Sequence, residues 1–316
     1  MITTVTLNTA IDQLYQMDTY ETGAVNRVRS CIKTAGGKGL NVARVASLAG
    51  EKVLAAGIAG GYHGAYFKSL LKEDGIDGCF TDSGAETRCC INVKDESTGT
   101  HTEFLEPGAQ IDAKALDEFY QSYLKCVEKS DVVTISGSVP AGTPADYYGR
   151  LITAAKNEGK RVILDTSGTM LAESIAAKPT MIKPNADEIR QLTGAPVTSR
   201  TQLLEAAQKI HDGGIELVVV SLGGDGALIV SDEGVFQGIC PNIEVVNTVG
   251  CGDSMVAGFA VGMVRKYPLE QTIRFALSIA SANALHEKTG CFREDDLQRL
   301  LSGTIVKSYS AVGLRT

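Results

Sequence analysis

A glycine-rich turn that carries one carboxylate and leads into an apolar helix is the most informative part of the sequence. It covers residues 247–259 and reads NTVGCGDSMVAGF. Gly250 and Gly252 allow a tight bend with uncovered backbone N–H groups, and such groups at a helix N-terminus bind anions. Asp253 is the candidate base that deprotonates a hydroxyl attacking a phosphoryl group, with Gly250, Cys251 and Gly252 as the anion hole. The same residues would also suit an ordinary helix start capped by Asp253.

A second glycine-rich segment, residues 34–44, reads TAGGKGLNVAR and also leads from a turn into an apolar helix. Three further segments are NTAID at 8–12, KPNADE at 183–188 and SLGGDGA at 221–227. Together these five segments, in their order along the chain, resemble the signatures of the PfkB (ribokinase-like) carbohydrate kinases. The resemblance extends from the first strand to about residue 301. The Gly-Gly-Lys-Gly form is similar to the branch that phosphorylates sugar phosphates, the tagatose-6-phosphate kinases and 1-phosphofructokinases.

Short β-branched segments alternate with helical segments along most of the chain. This α/β pattern predicts a mainly parallel sheet with helices on both faces and ligands beyond the carboxyl ends of its strands. Asn8, Ser136, Asp165 and Ser221 lie at those ends. The predicted strands are 2–7, 53–58, 132–136, 161–165, 217–221 and 227–230, and the predicted helices are 40–49, 65–73, 113–128, 145–157, 186–193, 201–212, 254–265 and 269–286.

Two polar regions interrupt the alternation. Residues 87–106 predict a hairpin with arms at 88–94 and 100–105, and residues 12–33 could pair with it. The resemblance implies one ribokinase-like three-layer domain over 1–316, with a β-sheet lid formed from about 12–33 and 87–106. Such lids cover the sugar site and often form a homodimer. Residues 302–316 have little apolar periodicity, and no role is predicted for them.

Bulk properties restrict the partners. A net charge of −7 in 316 residues argues against a general nucleic-acid binder. No apolar segment is long enough to cross a membrane, and the N-terminus lacks a signal-peptide pattern, so a cytoplasmic protein is expected. Eight cysteines without a Cys-x-x-Cys pair, and only four histidines, argue against structural zinc. Cys251 stands where the family usually has Ala or Ser, and a low thiol pKa there would make the loop sensitive to thiol reagents.

The sugar-binding residues follow from the resemblance. Asp12 would accept hydrogen bonds from sugar hydroxyls, although Thr9 replaces the proline that the family usually has nearby. The other residues of this group are Gly36, Gly37, Asn41, Glu103 and Ser138. The substrate phosphate needs cations, for which Lys38, Arg27 and Arg88 are the candidates. Lys38→Ala is expected to raise KM for the sugar phosphate far more than for ATP. Isolated arginines are more often solvated.

The nucleotide side involves three other segments. Asn185 and Glu188 lie three residues apart on one helix face, and Glu188 would hold Mg²⁺, through water, unless the pair is only a helix cap. Lys183 would reach the phosphates of ATP. The resemblance also assigns Ser221, Gly223, Gly226, Thr248 and Asn283 to the nucleotide site. The alternatives are a hairpin turn at 221–227 and a packing amide at Asn283.

The reaction implied is transfer of the ATP γ-phosphoryl group to a ketohexose phosphate, giving a 1,6-bisphosphate. Residues 86–91 and 102–106 favour tagatose-6-phosphate, phosphorylated at its C1 hydroxyl, whereas 92–94 and 106–108 resemble 1-phosphofructokinases acting on fructose-1-phosphate. A regulatory protein that has lost catalysis would be expected to lack Asp253. A dinucleotide oxidoreductase is disfavoured because no Gly-x-Gly-x-x-Gly follows the first strand.

Overall fold

The computed structural model describes residues 1–309, and a ten-stranded sheet forms the centre of this part. Its strands are β1 (Ile2–Thr6), β4 (Val53–Ile58), β5 (Asp77–Thr81), β8 (Val132–Ser136), β9 (Arg161–Asp165), β10 (Met181–Ile182), β11 (Leu217–Ser221), β12 (Ala227–Ser231), β13 (Gly234–Ile239) and β14 (Ile305–Tyr309). Their order in the sheet is β14-β13-β12-β11-β10-β9-β8-β1-β4-β5. The strands from β11 to β5 are parallel to their neighbours, whereas β12, β13 and β14 pair antiparallel.

Helices cover both faces of this sheet, because successive strand residues point to opposite sides. Val133 and Val162 pack under the helices of one face, whereas Val132 and Ile163 pack under those of the other. The helices are α1 (Lys38–Leu48), α2 (Gly61–Glu73), α3 (Ala113–Glu128), α4 (Tyr147–Asn157), α5 (Gly168–Ser174), α6 (Ala186–Thr193), α7 (Arg200–Asp212), α8 (Cys251–Arg265), α9 (Leu269–Asn283) and α10 (Glu294–Gly303). The predicted three-layer α/β fold is therefore confirmed.

A separate four-stranded sheet forms the predicted lid. Its order is β3-β2-β6-β7, with strands β2 (Ala10–Met17), β3 (Ser30–Gly36), β6 (Arg88–Asp95) and β7 (Thr100–Leu105). The hairpin of β6 and β7 is present as predicted. The first lid segment begins earlier and ends later than the predicted 12–33, so that Asp12 lies inside β2, paired with Thr34 and Cys90.

Several element boundaries differ from the sequence prediction. The last long helix was predicted to reach residue 286, but α9 ends at Asn283, and residues 284–293 form a connection beside the cavity. Helix α8 begins at Cys251 rather than residue 254, which puts Asp253 in its first turn. Residues 310–316 of the predicted tail lie outside the described part. Within that part, none of the helices has the length and apolar composition that a membrane crossing requires.

Candidate active site

A cavity of about 510 Å³ lies between the lid, the carboxyl ends of the central strands and the start of α8. Parallel strands and their helix N-termini converge at this edge of the sheet, so side chains that are distant in sequence meet here. Eleven of the predicted site residues line the cavity: Asp12, Gly37, Lys38, Asn41, Arg88, Glu103, Ser138, Lys183, Gly250, Gly252 and Asp253.

Asp253 is a buried carboxylate of the cavity, with 6% of the residue exposed. Burial raises its pKa to about 6, although the ammonium groups of Lys38 and Lys183 and a hydrogen bond from Asn41 act in the opposite direction. The Nδ2 of Asn41 donates to Oδ2 of Asp253 at 2.7 Å. A carboxylate with this pKa is largely ionised at neutral pH and still accepts a proton readily, as a general base must.

The turn before α8 has no room for a side chain at residue 250. Gly250 has a φ of 80°, and a Cβ atom on it would lie 2.5 Å from Thr289 Cγ2. The N–H of Cys251 donates to the carbonyl of Thr248 at 3.2 Å, and Cys251 does not line the cavity. The anion hole predicted from three amides therefore differs in the structure: Gly250 and Gly252 face the cavity, whereas the Cys251 amide closes the turn. Thr248 is exposed and contributes its carbonyl to that turn.

The Cys251 thiol is not activated. Burial raises its pKa, and its Sγ lies 3.5 Å from Asn283 Nδ2 and 3.9 Å from the carbonyl oxygen of Asn247. A raised pKa keeps the thiol protonated and poorly nucleophilic. The hypothesis of a low-pKa cysteine in this loop is therefore wrong.

Two lysines flank a buried carboxylate beside the anion loop. Asp165, at the end of β9, lies 3.3 Å from Lys183 Nζ and 4.0 Å from Lys38 Nζ. A Cβ atom on Gly252 would lie 3.2 Å from Lys183 Nζ, so this ammonium is next to the loop. The carboxylate of Asp165 raises the pKa of Lys38. These cations and the N-terminus of α8 together suit a phosphoryl group that is being transferred.

Asp12 occupies the lid side of the cavity, against the second glycine-rich turn. A Cβ atom on Gly36 would lie 2.3 Å from the Asp12 carboxylate, so this carboxylate packs directly against the turn. Burial raises the pKa of Asp12, and Arg44 and Arg88 oppose this effect. Glycine at 36 is therefore required by the close approach of the Asp12 carboxylate. Gly36, which was predicted to contact the sugar, does not line the cavity, whereas Gly37 does.

The three predicted phosphate-binding cations are not equivalent. Arg88 lines the cavity and donates to the carbonyl oxygens of Glu106 at 2.9 Å and Asn8 at 3.2 Å, while its buried Nε has no partner among the described residues. Lys38 lies at the Asp253 end instead. Arg27 is exposed in the β2–β3 connection and does not line the cavity, so its role as a phosphate ligand stays a prediction.

The remaining sugar-side residues lie at the rim. Glu103 is exposed on β7, and its carboxylate accepts a hydrogen bond from Asn92 at 3.4 Å. Ser138 accepts a hydrogen bond from Asn8 Nδ2 at 3.1 Å. Both are thus positioned to contact a bound molecule without being buried by their own chain.

The predicted nucleotide residues form a strip beside the cavity. Asn185 pairs with Ser221 through a β-bridge, and Gly223, two residues after Ser221, is exposed. Gly226 has a structural role instead, because a Cβ atom there would lie 2.1 Å from the carbonyl oxygen of Gly238. The strip leads to Lys183 in the cavity wall.

Asn283 was predicted beside the nucleotide, but its amide is used internally. It is 1% exposed, donates to the carbonyl of Val249 at 3.0 Å and accepts from the N–H groups of Gly290 and Cys291. It therefore supports the anion loop and the 284–293 connection, which is the packing role that the sequence left open.

The carboxylates of Glu188 and Asp165, on the nucleotide side of the cavity, fit a hydrated magnesium ion. Glu188 and Asn185 form a capping box, in which one Glu188 oxygen accepts from the Asn185 N–H at 2.9 Å and the second oxygen is not used in the box. Asp165 Oδ2 is buried and accepts no hydrogen bond within the described residues. Both carboxylates raise the pKa of Lys38, and Asp165 lines the cavity, whereas Glu188 does not. Hard oxygen donors that leave room for water are the ligands that magnesium prefers.

Sequence reasoning missed several cavity residues. The sequence locates Asp165 at a strand end without indicating a role for it, and it does not show that Arg44, behind the cavity wall, supports Asn41. Arg44 is buried and donates to Asn41 Oδ1, which orients the Asn41 amide toward Asp253. Glu287, Lys288 and Thr289 also line the cavity, and the helix predicted through residue 286 concealed this connection.

Comparison with known proteins agrees with this geometry. The family model described as "pfkB family carbohydrate kinase" matches residues 5–295. The tagatose-6-phosphate kinase of Staphylococcus epidermidis (strain RP62A) is 41% identical over 304 residues, which cover 95% of this chain and 97% of that protein. The 1-phosphofructokinase of Bacillus subtilis (strain 168) is 37% identical over the same shares.

Solved structures lead to the same family. The crystal structure of phosphofructokinase-2 from Escherichia coli in complex with potassium superposes with a TM-score of 0.90 at 31% sequence identity. The superposition covers 95% of this chain and 98% of the Escherichia coli chain. Because the similarity extends over nearly the full length of both proteins, it includes the lid as well as the central sheet.

Proposed function

The chain belongs to the pfkB family of carbohydrate kinases, and we propose that it is the kinase that converts tagatose-6-phosphate and ATP into tagatose-1,6-bisphosphate and ADP. The observation that carries this proposal is the buried Asp253 at the start of α8, held by Asn41 and faced by Lys38 and Lys183. A base, a helix N-terminus and two cations around one cavity are the requirements of phosphoryl transfer to a hydroxyl.

In the proposed reaction, Asp253 takes the proton of the C1 hydroxyl as its oxygen attacks the γ-phosphorus. The bond from that phosphorus to the bridging oxygen of ADP breaks. The amides of Gly250 and Gly252 and the ammonium groups of Lys38 and Lys183 stabilise the charge that develops on the transferred group. Magnesium, bound with ATP near Glu188, would neutralise phosphate charge.

We place the 6-phosphate of the sugar at Arg88 rather than at Lys38. Arg88 lies on the lid side of the cavity, and its guanidinium suits phosphate oxygens. Lys38 lies in the field of Asp165 and Asp253, at the end where transfer occurs. Asp12, Asn41 and Ser138 then lie along the sugar between the two ends. ATP would approach along Ser221, Gly223 and Lys183. A cytoplasmic location also remains a prediction.

The experiment is ADP release at constant Mg-ATP against tagatose-6-phosphate, fructose-1-phosphate, fructose-6-phosphate, tagatose-1-phosphate and the free hexoses. We expect the highest kcat/KM for tagatose-6-phosphate. Preference for fructose-1-phosphate would assign the activity of the Bacillus subtilis relative instead. Turnover of a free sugar alone would contradict the phosphate role of Arg88, and no turnover at all would favour a regulatory protein.

A further inference from the structure

Glu287 joins the lid to the body of the protein. It lies in the 284–293 connection, and its carboxylate accepts hydrogen bonds from two lid side chains. Lys94 Nζ on β6 lies 2.9 Å from Oε1, and Gln16 Nε2 on β2 lies 2.9 Å from Oε2. Each carboxylate oxygen is thus bound by a different strand of the lid.

Each of the two lid donors also has contacts within the lid that fix its position. Gln16 and Lys94 are direct partners in the β2–β6 ladder. Gln16 is buried and its Oε1 accepts from Ser30, while the Lys94 side chain is only 13% exposed and also pairs with Glu96 at 3.2 Å. The hydrogen bond from Lys94 holds the pKa of Glu287 below its ordinary value. A contact between two oriented donors and one ionised acceptor has geometric specificity that a single surface ion pair lacks.

The backbone of the same residue contacts the anion loop. The carbonyl oxygen of Glu287 accepts from Asn247 Nδ2 at 2.9 Å, and Oδ1 of Asn247 accepts from the N–H of Val249 at 2.9 Å. Val249 directly precedes Gly250, the first residue of the anion hole. Residue 287 therefore touches the lid through its side chain and the start of the catalytic turn through its main chain.

We propose that Glu287 is a positioning residue that couples lid closure to the placement of the anion loop, an inference that rests on the proposed kinase function. When Lys94 and Gln16 are both hydrogen-bonded to Glu287, the lid covers the cavity. Asn247 then holds the turn in the position where Gly250 and Gly252 face the γ-phosphoryl group. Without this contact the sugar phosphate binds a less closed site, and water reaches the phosphoryl group.

The consequence is a change in reaction products. In the coupled reaction each ADP is accompanied by one bisphosphate. When water replaces the sugar hydroxyl as the attacking group, its oxygen bonds to the γ-phosphorus, the bond to ADP breaks, and inorganic phosphate and a proton are released. The ratio of ADP to bisphosphate therefore reports whether the cavity excludes water.

The test compares Glu287→Gln with Glu96→Gln in the full-length protein. Both changes remove one negative charge from a partner of Lys94, but Glu96 lies within the lid, whereas Glu287 lies across the cleft. The side-chain amide introduced by Glu287→Gln offers an acceptor to only one of the two lid donors. For Glu287→Gln we expect KM for the sugar phosphate to rise about tenfold, KM for ATP to change less than about twofold, and the ADP-to-bisphosphate ratio to exceed one. For Glu96→Gln we expect about wild-type values.

A second variant tests the contact from the lid side. Lys94→Met should reproduce the Glu287→Gln phenotype, and the double variant should be no worse than either single change, because one contact is lost only once. Equal effects of Glu287→Gln and Glu96→Gln, additive effects of Lys94→Met and Glu287→Gln, or a product ratio that stays at one would overturn the proposal.

Hydrogen exchange on the ligand-free proteins separates this inference from the proposed function. Glu287→Gln, but not Glu96→Gln, should increase exchange at the Val249 amide and in β6 by about tenfold or more. This result supports the coupling whatever acceptor the wild-type enzyme phosphorylates. Unchanged exchange at Val249 refutes it even if tagatose-6-phosphate is the substrate.

Discussion

At the scale of single residues, the site depends on keeping one carboxylate reactive in a buried place. Asp253 is surrounded by Asn41, Lys38, Lys183 and Asp165, and burial outweighs the two cations, so that its pKa rises to about 6. A catalytic group of this kind costs stability, because the folded state disfavours its ionised form. Both activity and stability of an uncharged variant are therefore predictable.

Asp253→Asn should abolish most activity and make the protein more stable at neutral pH. A carboxyl group with a raised folded-state pKa contributes its stability below the ordinary value of 3.8 and loses it as the pH rises through about 6. That difference corresponds to about 3 kcal/mol, and Asn does not titrate. The free energy of unfolding of both proteins, measured from pH 4 to pH 7.5, should therefore diverge in favour of the variant. Parallel curves, or a folded variant with near wild-type turnover, would exclude this assignment.

Lys38→Met should lower kcat by about 100-fold or more, because the ammonium group lies at the Asp253 end of the cavity. Steady-state kinetics with both substrates saturating would measure this. Arg88→Lys is the comparison, since it keeps the charge but loses the guanidinium fork and should mainly raise KM for the sugar phosphate. If Lys38→Met raised only that KM, Lys38 would be the ligand of the distant phosphate, as the sequence alone predicted.

At the scale of elements, the turn before α8 and the connection at 284–293 support each other. Gly250 leaves no room for a Cβ atom beside Thr289, and Asn283 joins the two segments through Val249 and Gly290. Since residue 250 also has a left-handed φ, two independent effects oppose a side chain there.

Gly250→Ala should therefore reduce kcat/KM by about 100-fold or more. Gly75→Ala is the matched control, because Gly75 also has a left-handed φ, of 69°, but no atom lies within 4 Å of an added Cβ. Both variants carry about 1 kcal/mol of backbone strain, measurable by denaturant unfolding. We expect only Gly250→Ala to lose activity in addition to carrying this strain. Similar activity in the two variants would show that the turn tolerates displacement.

Apolar runs predicted four central strands with their observed bounds, whereas the short β10 and two exposed elements were among those missed. Strands 53–58, 132–136, 161–165 and 217–221 were predicted with the observed bounds because their residues form apolar runs. Strand β14 was missed because it is an edge strand whose residues are mostly exposed. Helix α10 was missed because it buries only Leu297 and Leu300.

The site was predictable to the extent that its chemistry is local in sequence. Motifs containing Asp253, Lys38 and Asp12 could be read directly, and the structure brings these residues to one cavity. Contacts such as Glu287 with Lys94 join residues 193 positions apart, and no local pattern encodes them. The exposure of Arg27 was likewise invisible, because a lone arginine has the same local signal on a surface or in a site.

At the scale of the whole molecule, the lid is a thin sheet with apolar side chains in solvent. Ile32 and Leu105 belong to the lid face that carries Asp12, since Leu14 pairs with Ile32 and Cys90 pairs with both Asp12 and Leu105. Leu105 is 63% exposed. Both residues line the cavity. An apolar rim around a polar cavity is a surface that a second copy of the same lid can cover.

We therefore expect a homodimer in which the cavity-facing sides of two lids pack together. Leu105→Asp with Ile32→Asp would place charges in that interface and should give a monomer with raised KM for the sugar phosphate, because the rim of the cavity becomes open to water.

Phe104→Asp is the control: Phe104 is 48% exposed on the same strand but belongs to the opposite face, where it pairs with Ile91. Sedimentation velocity at assay concentrations distinguishes the variants. A fully active wild-type monomer, or a Phe104→Asp variant that also dissociates, would rule out this arrangement.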